Sequence, residues 1–136
     1  MAAETKKIIL QWQQDLRFEG GEPGGALVTI DGDNTAGPGP MLTLLLAASA
    51  CTGSDVVEIL KKMRMPFERL TIEAAGLRRE QEPRRYVSIH LEYRIGGAAI
   101  EPAKVRRAIE LSLEKYCSVF HSLAPDIAIT YALSLA

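Results

Sequence analysis

The chain is poor in the residues that build the most recognisable chemical sites. It has two cysteines, two histidines and one tryptophan among 136 residues. Two cysteines are too few for the disulfide framework of a small secreted domain. His90 and His121 have no partner at ligand spacing, and with two scattered cysteines they make no zinc pattern, so no metal is expected. A charge excess of one sign is missing as well. The formal net charge of −1 supplies no field for nucleic acid or an anionic membrane. The longest apolar stretch, Leu44 to Ala50 with Ser49 inside it, is far short of the roughly 20 residues that span a bilayer. The N-terminal Met1-Ala2-Ala3-Glu4-Thr5-Lys6-Lys7 has no apolar core of signal-peptide length. A cytoplasmic protein with no membrane and no nucleic-acid partner is the expectation.

What is present reads as one globular domain over residues 1–136, with 47% hydrophobic and 24% charged residues. Ile8 to Trp12 and Ala26 to Asp31 read as strands. Between them Glu19-Gly20-Gly21-Glu22-Pro23-Gly24-Gly25 reads as a hairpin or mobile loop. It leads into a strand-like run, not a helix, so it is no phosphate cradle. A second breaker cluster runs from Asp31 to Pro40.

From Met41 to Arg64 the pattern is helical, with an interruption near Thr52-Gly53-Ser54. Thr52 and Asp55 have capping-box spacing, which makes Asp55 a cap more than a catalytic base. A break there places Cys51 just outside a helix N-terminus, where the dipole and free N–H groups favour thiolate. An unbroken helix through Gly53 is the competing arrangement. Pro66 ends the helix, and Met63 and Met65 are packing filler. Leu70 to Ala74 and Tyr86 to Ile95 alternate at period two, joined by the charged hairpin from Arg78 to Arg85. In the longer strand Val87, Ile89, Leu91, Tyr93 and Ile95 share one face.

Pro102 suits the first position of another helix, and Ile127 to Leu135 alternate as a closing strand. The order β-β-α-β-β-α-β predicts an α+β fold with an antiparallel sheet. The middle helix carries Leu42, Leu44, Leu45, Leu46, Ala47, Ala48 and Ala50 around most of its circumference. A helix apolar all round is buried all round, and one small sheet covers a single side. A second subunit, giving a homodimer, is the expected cover.

Pro40-Met41, the run Leu44 to Cys51, Asp55-Val56-Val57-Glu58-Ile59-Leu60-Lys61-Lys62 and Glu114-Lys115-Tyr116-Cys117-Ser118-Val119 together resemble the OsmC/Ohr family of peroxiredoxin-like proteins, in particular its YhfA-type branch. The resemblance spans nearly the whole chain, including Arg78-Arg79-Glu80 and Pro102. It implies an intertwined homodimer with sheets around central helices. It also implies thiol-dependent reduction of organic hydroperoxides, with Cys51 attacking the peroxide and Cys117 resolving. No cofactor is implied beyond an external dithiol reductant of unknown identity. Better-characterised branches carry a glutamate directly after the proline matching Pro40, and it orients an arginine at the thiolate. Here Met41 stands in that place, and Arg17 is the candidate arginine. Glu114 reads as a solvated helix charge. A non-catalytic redox-sensing or small-molecule-binding dimer is the alternative on the same scaffold.

Overall fold

A computed structural model describes residues 2–136, which fall into two compact units, the residues up to Leu44 and Leu45–Ala136. The first unit is a sheet of β1 (Ile9–Gln14), β2 (Arg17–Gly21) and β3 (Leu27–Asp31), antiparallel in that order. The expected loop over Glu19 to Gly25 is therefore shorter than read, because its first three residues belong to β2. The reversal lies earlier. Gln14 pairs with Arg17, so Asp15 and Leu16 make a two-residue turn, with Asp15 at φ 46° and its carbonyl accepting from Trp12 Nε1 at 2.8 Å. Aspartate tolerates this left-handed conformation better than most residues, which is the cue for a tight hairpin. β1 is exposed along its whole length, with Ile9, Leu10 and Trp12 open on the strand and Ile8 just before it.

The breaker cluster after β3 is organised by Asp31. Its buried carboxylate accepts the backbone N–H of Asp33 at 2.9 Å and of Ala36 at 3.0 Å. Those donors, Ala36 first, hold its pKa below the ordinary carboxylate value.

The second unit takes most of α1 (Pro40–Lys62), then β4 (Arg69–Arg78), β5 (Tyr86–Gly96), α2 (Pro102–Leu111), a π-helical turn (Ser112–Tyr116), the short α3 (Ser118–His121) and β6 (Ala128–Leu135). α1 is unbroken, which corrects the expected interruption near Thr52-Gly53-Ser54 and with it the reading of Asp55 as a cap. Gly53 serves packing instead. A Cβ there would lie 3.1 Å from Ile72 Cδ1 of β4. Interior glycine costs a helix about 1 kcal/mol, and a 23-residue helix packed on a sheet tolerates that.

α1 ends in a Schellman motif. Arg64 takes φ 56°, its N–H reaches Lys61 O at 3.0 Å, and the N–H of Met65 reaches Leu60 O at 3.0 Å. Leu60 and Met65, the two positions whose apolar side chains commonly accompany this cap, are both buried. Pro66 follows a helix that has already stopped.

β5 is the middle strand of the second sheet. β4 pairs with it antiparallel, from Arg69 opposite Gly96 to Arg78 opposite Tyr86, while β6 pairs with it in parallel. The antiparallel expectation thus holds for one pair and fails for the other. The helical connection from Pro102 to His121 carries the chain back to the starting end of β5, and a strand entered from that end runs parallel. The core sits between sheet and helices. Leu45, Ala48, Thr52, Val56 and Leu60 form one buried stripe of α1, beside Ile89, Leu91, Tyr93 and Ile95 of β5 and Val105, Ala108 and Ile109 of α2. α1 is long and apolar enough by composition to cross a membrane, and on one face its buried Thr52 hydrogen-bonds residues of β5 and the π turn.

Candidate active site

Cys51 and Asp55 are four residues apart on α1 and therefore share a face, with Thr52 turned into the core beside them. Cys51 lies in the middle of this helix, far from either end. The helix-dipole support expected for its thiolate is absent, since that field acts within the first turn.

Cys117 arrives through the π turn. Its N–H bonds the carbonyl of Ser112 at 2.8 Å, a bond across five residues. An α-helix would set residues five apart on different sides, whereas the wider π turn brings both toward one side. Ser112 and Cys117 are fully buried as a result. The donor atoms of Cys51, Asp55 and Cys117 all lie within 4.8 Å of one another. Both cysteines are free thiols, Cys51 half-buried and Cys117 buried. A disulfide needs the sulfurs at about 2.05 Å, so the two thiols are near each other but not bonded.

The environments of the two thiols differ. Burial pushes the Cys117 thiol up to about 11, and contact with Cys51 adds to the shift. The backbone N–H groups of Phe120 and Val119, at the start of α3, pull the other way without winning.

Beside the thiols runs a buried chain of hydroxyls. Tyr93 Oη lies 2.8 Å from Thr52 Oγ1, which lies 2.7 Å from Ser112 Oγ, which donates to Asp55 Oδ2 at 2.9 Å. Each hydroxyl has one proton, so with Asp55 ionised the direction is fixed: Tyr93 donates to Thr52, Thr52 to Ser112, and Ser112 to the carboxylate. Every member is satisfied, and such chains polarise one another in the direction of the charge. Burial raises the Tyr93 phenol to about 12, so it remains a donor at neutral pH.

The other candidate residues lie elsewhere. Arg17 opens β2 in the first unit, its Nε 4.0 Å from Asp31 Oδ2, and that buried Nε makes no hydrogen bond. Met41 is the second residue of α1. Glu114 is exposed on the π turn. His90 bonds Thr130 and Glu92, and His121 bonds the Leu113 carbonyl, so each histidine is engaged apart from the thiols. Arg78 and Arg79 donate from Nε to the carbonyls of Arg84 and Pro83, both at 2.7 Å, and Arg85 pairs with Asp126, so these three arginines of the hairpin are engaged apart from the thiols. The sequence reading missed Thr52, Ser112 and Tyr93 as neighbours of the thiols. Only the helical spacing of Cys51, Thr52 and Asp55 could have hinted at them. Among the described residues, Cys51, Asp55 and Cys117 are also the group whose donor atoms are close enough to share an ion, with Asp55 Oδ2 accepting from Ser112.

The sequence profile of OsmC-like proteins matches residues 31–132. The chain is 36% identical to Protein YhfA of Escherichia coli K12 over 124 residues, 90% of this chain and 92% of that protein. Its structure is similar to that of a hypothetical protein from Aquifex aeolicus VF5, with a TM-score of 0.84 at 31% identity, covering 98% of this chain and 99% of the other. An organic hydroperoxide resistance protein OsmC from Legionella pneumophila shares the fold at a TM-score of 0.71 and 10% identity, covering 98% and 99% of the two chains. Profile, identity and fold agree that this chain belongs to the OsmC-like family.

Proposed function

We propose that this protein is a thiol-dependent reductase of organic hydroperoxides that works as a homodimer. The observation that carries the reading is the convergence of Cys51 and Cys117, 66 positions apart in the numbering (117 − 51), within 4.8 Å. The Cys51 sulfur attacks the outer peroxide oxygen, the O–O bond breaks, and the alcohol leaves with a proton. Cys51 is then a sulfenic acid. Cys117 attacks that sulfur, water departs, and an intramolecular disulfide remains. An external dithiol reduces it by thiol–disulfide exchange. The half-buried Cys51 is the accessible attacker and the buried Cys117 the resolver, the order their exposure favours. Ala47, exposed four residues before Cys51 on the same helix face, offers dispersion contacts and no polar ones, which suits an alkyl peroxide.

The test is hydroperoxide consumption with dithiothreitol as reductant. Cys51→Ser is expected to abolish it, because a hydroxyl is a far poorer nucleophile than a thiolate near neutral pH. Cys117→Ser is expected to complete one turnover and then accumulate sulfinic acid at Cys51. Arg17 as the cation supporting the Cys51 thiolate is inferred from the family likeness. Arg17→Ala is then expected to slow sulfenic acid formation and leave disulfide closure unchanged. One observation favours a second reading, a redox sensor that oxidises without rapid turnover: Cys51 sits mid-helix, without a helix N-terminus to activate it. A sensor forms the same disulfide yet consumes no more than one peroxide per thiol pair when dithiol is present.

A further inference from the structure

We propose that Asp55 is the general base and proton carrier of the resolving step, taking the proton from Cys117 as its sulfur attacks Cys51 and returning it to the departing hydroxide. The inference rests on Cys51 and Cys117 forming a bridge, and it assigns a role to a residue outside the thiol pair. Asp55 is placed for it twice over. Its carboxylate lies within 4.8 Å of both sulfurs, and Ser112 holds Oδ2 at 2.9 Å. Behind Ser112 stands a fully buried relay, Tyr93 to Thr52 to Ser112, in which every hydroxyl points its proton toward that carboxylate. Such a relay helps to orient the carboxylate through Oδ2, which suits a group that must meet one particular proton. The groups facing Asp55 are Cys51 on its own helix, Ser112 on the π turn, Cys117 directly after that turn, and Tyr93 of β5 through Thr52.

The need for a base follows from the burial of Cys117. A fully buried thiol on a short apolar segment has no water to carry its proton away. Left alone at neutral pH, with its thiol pushed up to about 11, it is thiolate about one part in ten thousand of the time. The step balances with Asp55 as carrier. The S–H bond of Cys117 breaks to the carboxylate, the S–S bond forms, and the S–O bond of the sulfenic acid breaks. The hydroxide takes the proton from Asp55, so one water leaves and the carboxylate is restored.

The experiment separates this step from peroxide chemistry. Cys51 is first converted to its mixed disulfide with thionitrobenzoate, and closure by Cys117 is followed as release of the coloured thiol. Closure in the wild type is expected to be fast and nearly flat across neutral pH. Asp55→Asn keeps an oxygen for Ser112 to donate to, and is expected to close about 100-fold more slowly at neutral pH. Its rate should climb tenfold per pH unit, because only free thiolate then attacks. Ser112→Ala keeps the carboxylate, and should close within a few-fold of the wild type with the flat profile retained. Asp55→Asn closure that matches the wild type, or is slowed equally at every pH, overturns the proposal. So does a Ser112→Ala loss as large as that of Asp55→Asn. If Asp55→Asn does not fold, the wild-type profile decides: a rate rising tenfold per pH unit from pH 6 to 9 contradicts a carboxylate base. A wild type that closes the bridge through Asp55 yet leaves hydroperoxides untouched refutes the peroxidase reading and leaves this one standing.

Discussion

Cys117 is kept protonated by its surroundings, and that has a measurable consequence for stability. Its folded pKa, about 11, lies above the ordinary thiol value, so the folded state holds the proton more tightly than the unfolded chain. The resulting stabilisation is fully present below pH ~8.5 and is lost as pH rises toward the folded value. Unfolding free energy is therefore expected to fall across that alkaline window. Cys117→Ser should flatten much of this decline in a series of denaturant titrations. Tyr93, raised to about 12, titrates at the upper edge of the same window and leaves a residue of the slope in the variant. Asp31 behaves with the opposite sign. The N–H groups of Ala36 and Asp33 lower its pKa, so its contribution is complete above pH ~4 and vanishes as pH falls through the folded value. Asp31→Asn should blunt the acid limb of the stability profile.

At the scale of elements, the join between α1 and the π turn matters more than either alone. Thr52 is the central member of the hydroxyl chain, and Thr52→Val keeps its shape while removing its oxygen. Tyr93 and Ser112 would each lose a buried partner. Stability is expected to drop by roughly 1–3 kcal/mol, read as a lower denaturant midpoint with an unchanged slope. β4 offers a second check. A Cβ at Gly76 would sit 2.5 Å from the Tyr86 ring, so Gly76→Ala must displace a buried aromatic and should destabilise by about 1–3 kcal/mol. Much of this layer was legible in the sequence and some was not. The alternation from Val87 to Ile95 correctly named Ile89, Leu91, Tyr93 and Ile95 as the inward face of β5. Gly53 misled, because glycine chosen for close approach to Ile72 looks in sequence like glycine chosen for a break. The π turn left no signal, since Ser112 to Tyr116 continues the helical pattern of α2. With it went the neighbourhood of Ser112, Thr52 and Tyr93, which exists only through tertiary contact.

For the whole molecule, the apolar surface left uncovered points to a second copy. Leu46 and Val57 are exposed on α1 beside its buried stripe, and Leu42 is exposed in its first turn. An open groove of about 510 Å³ lies beside this side, lined by Leu46, Ala50, Gly53, Val57, Leu70 and Ile72 among others. Ile8, Ile9, Leu10, Trp12, Leu27 and Val28 stand exposed in the first unit, more apolar surface than its three-stranded sheet can bury. We propose that a homodimer covers these surfaces, with the interface of more than ~2,000 Å² usual for obligate pairs. Sedimentation at micromolar concentration should give twice the chain mass. Leu46→Glu should shift it toward monomer and lower the melting temperature, since the carboxylate would be buried without a partner. A wild-type chain that sediments as a folded monomer would refute the dimer. The apolar circumference of α1 was readable from its leucines and alanines, but the length and exposure of β1 were not, because the turn at Asp15-Leu16 hid the first hairpin.

The central claim is that a hydroperoxide drives Cys51 and Cys117 into one bridge through a sulfenic acid. The most direct measurement is mass spectrometry of the reduced protein after one equivalent of an alkyl hydroperoxide, with a sulfenic acid trap present or absent. Without the trap, we expect a loss of two hydrogens and a peptide linking Cys51 to Cys117. With the trap in Cys117→Ser, we expect the adduct on Cys51. Unchanged thiols after exposure, or oxidation confined to Cys117, would contradict the account.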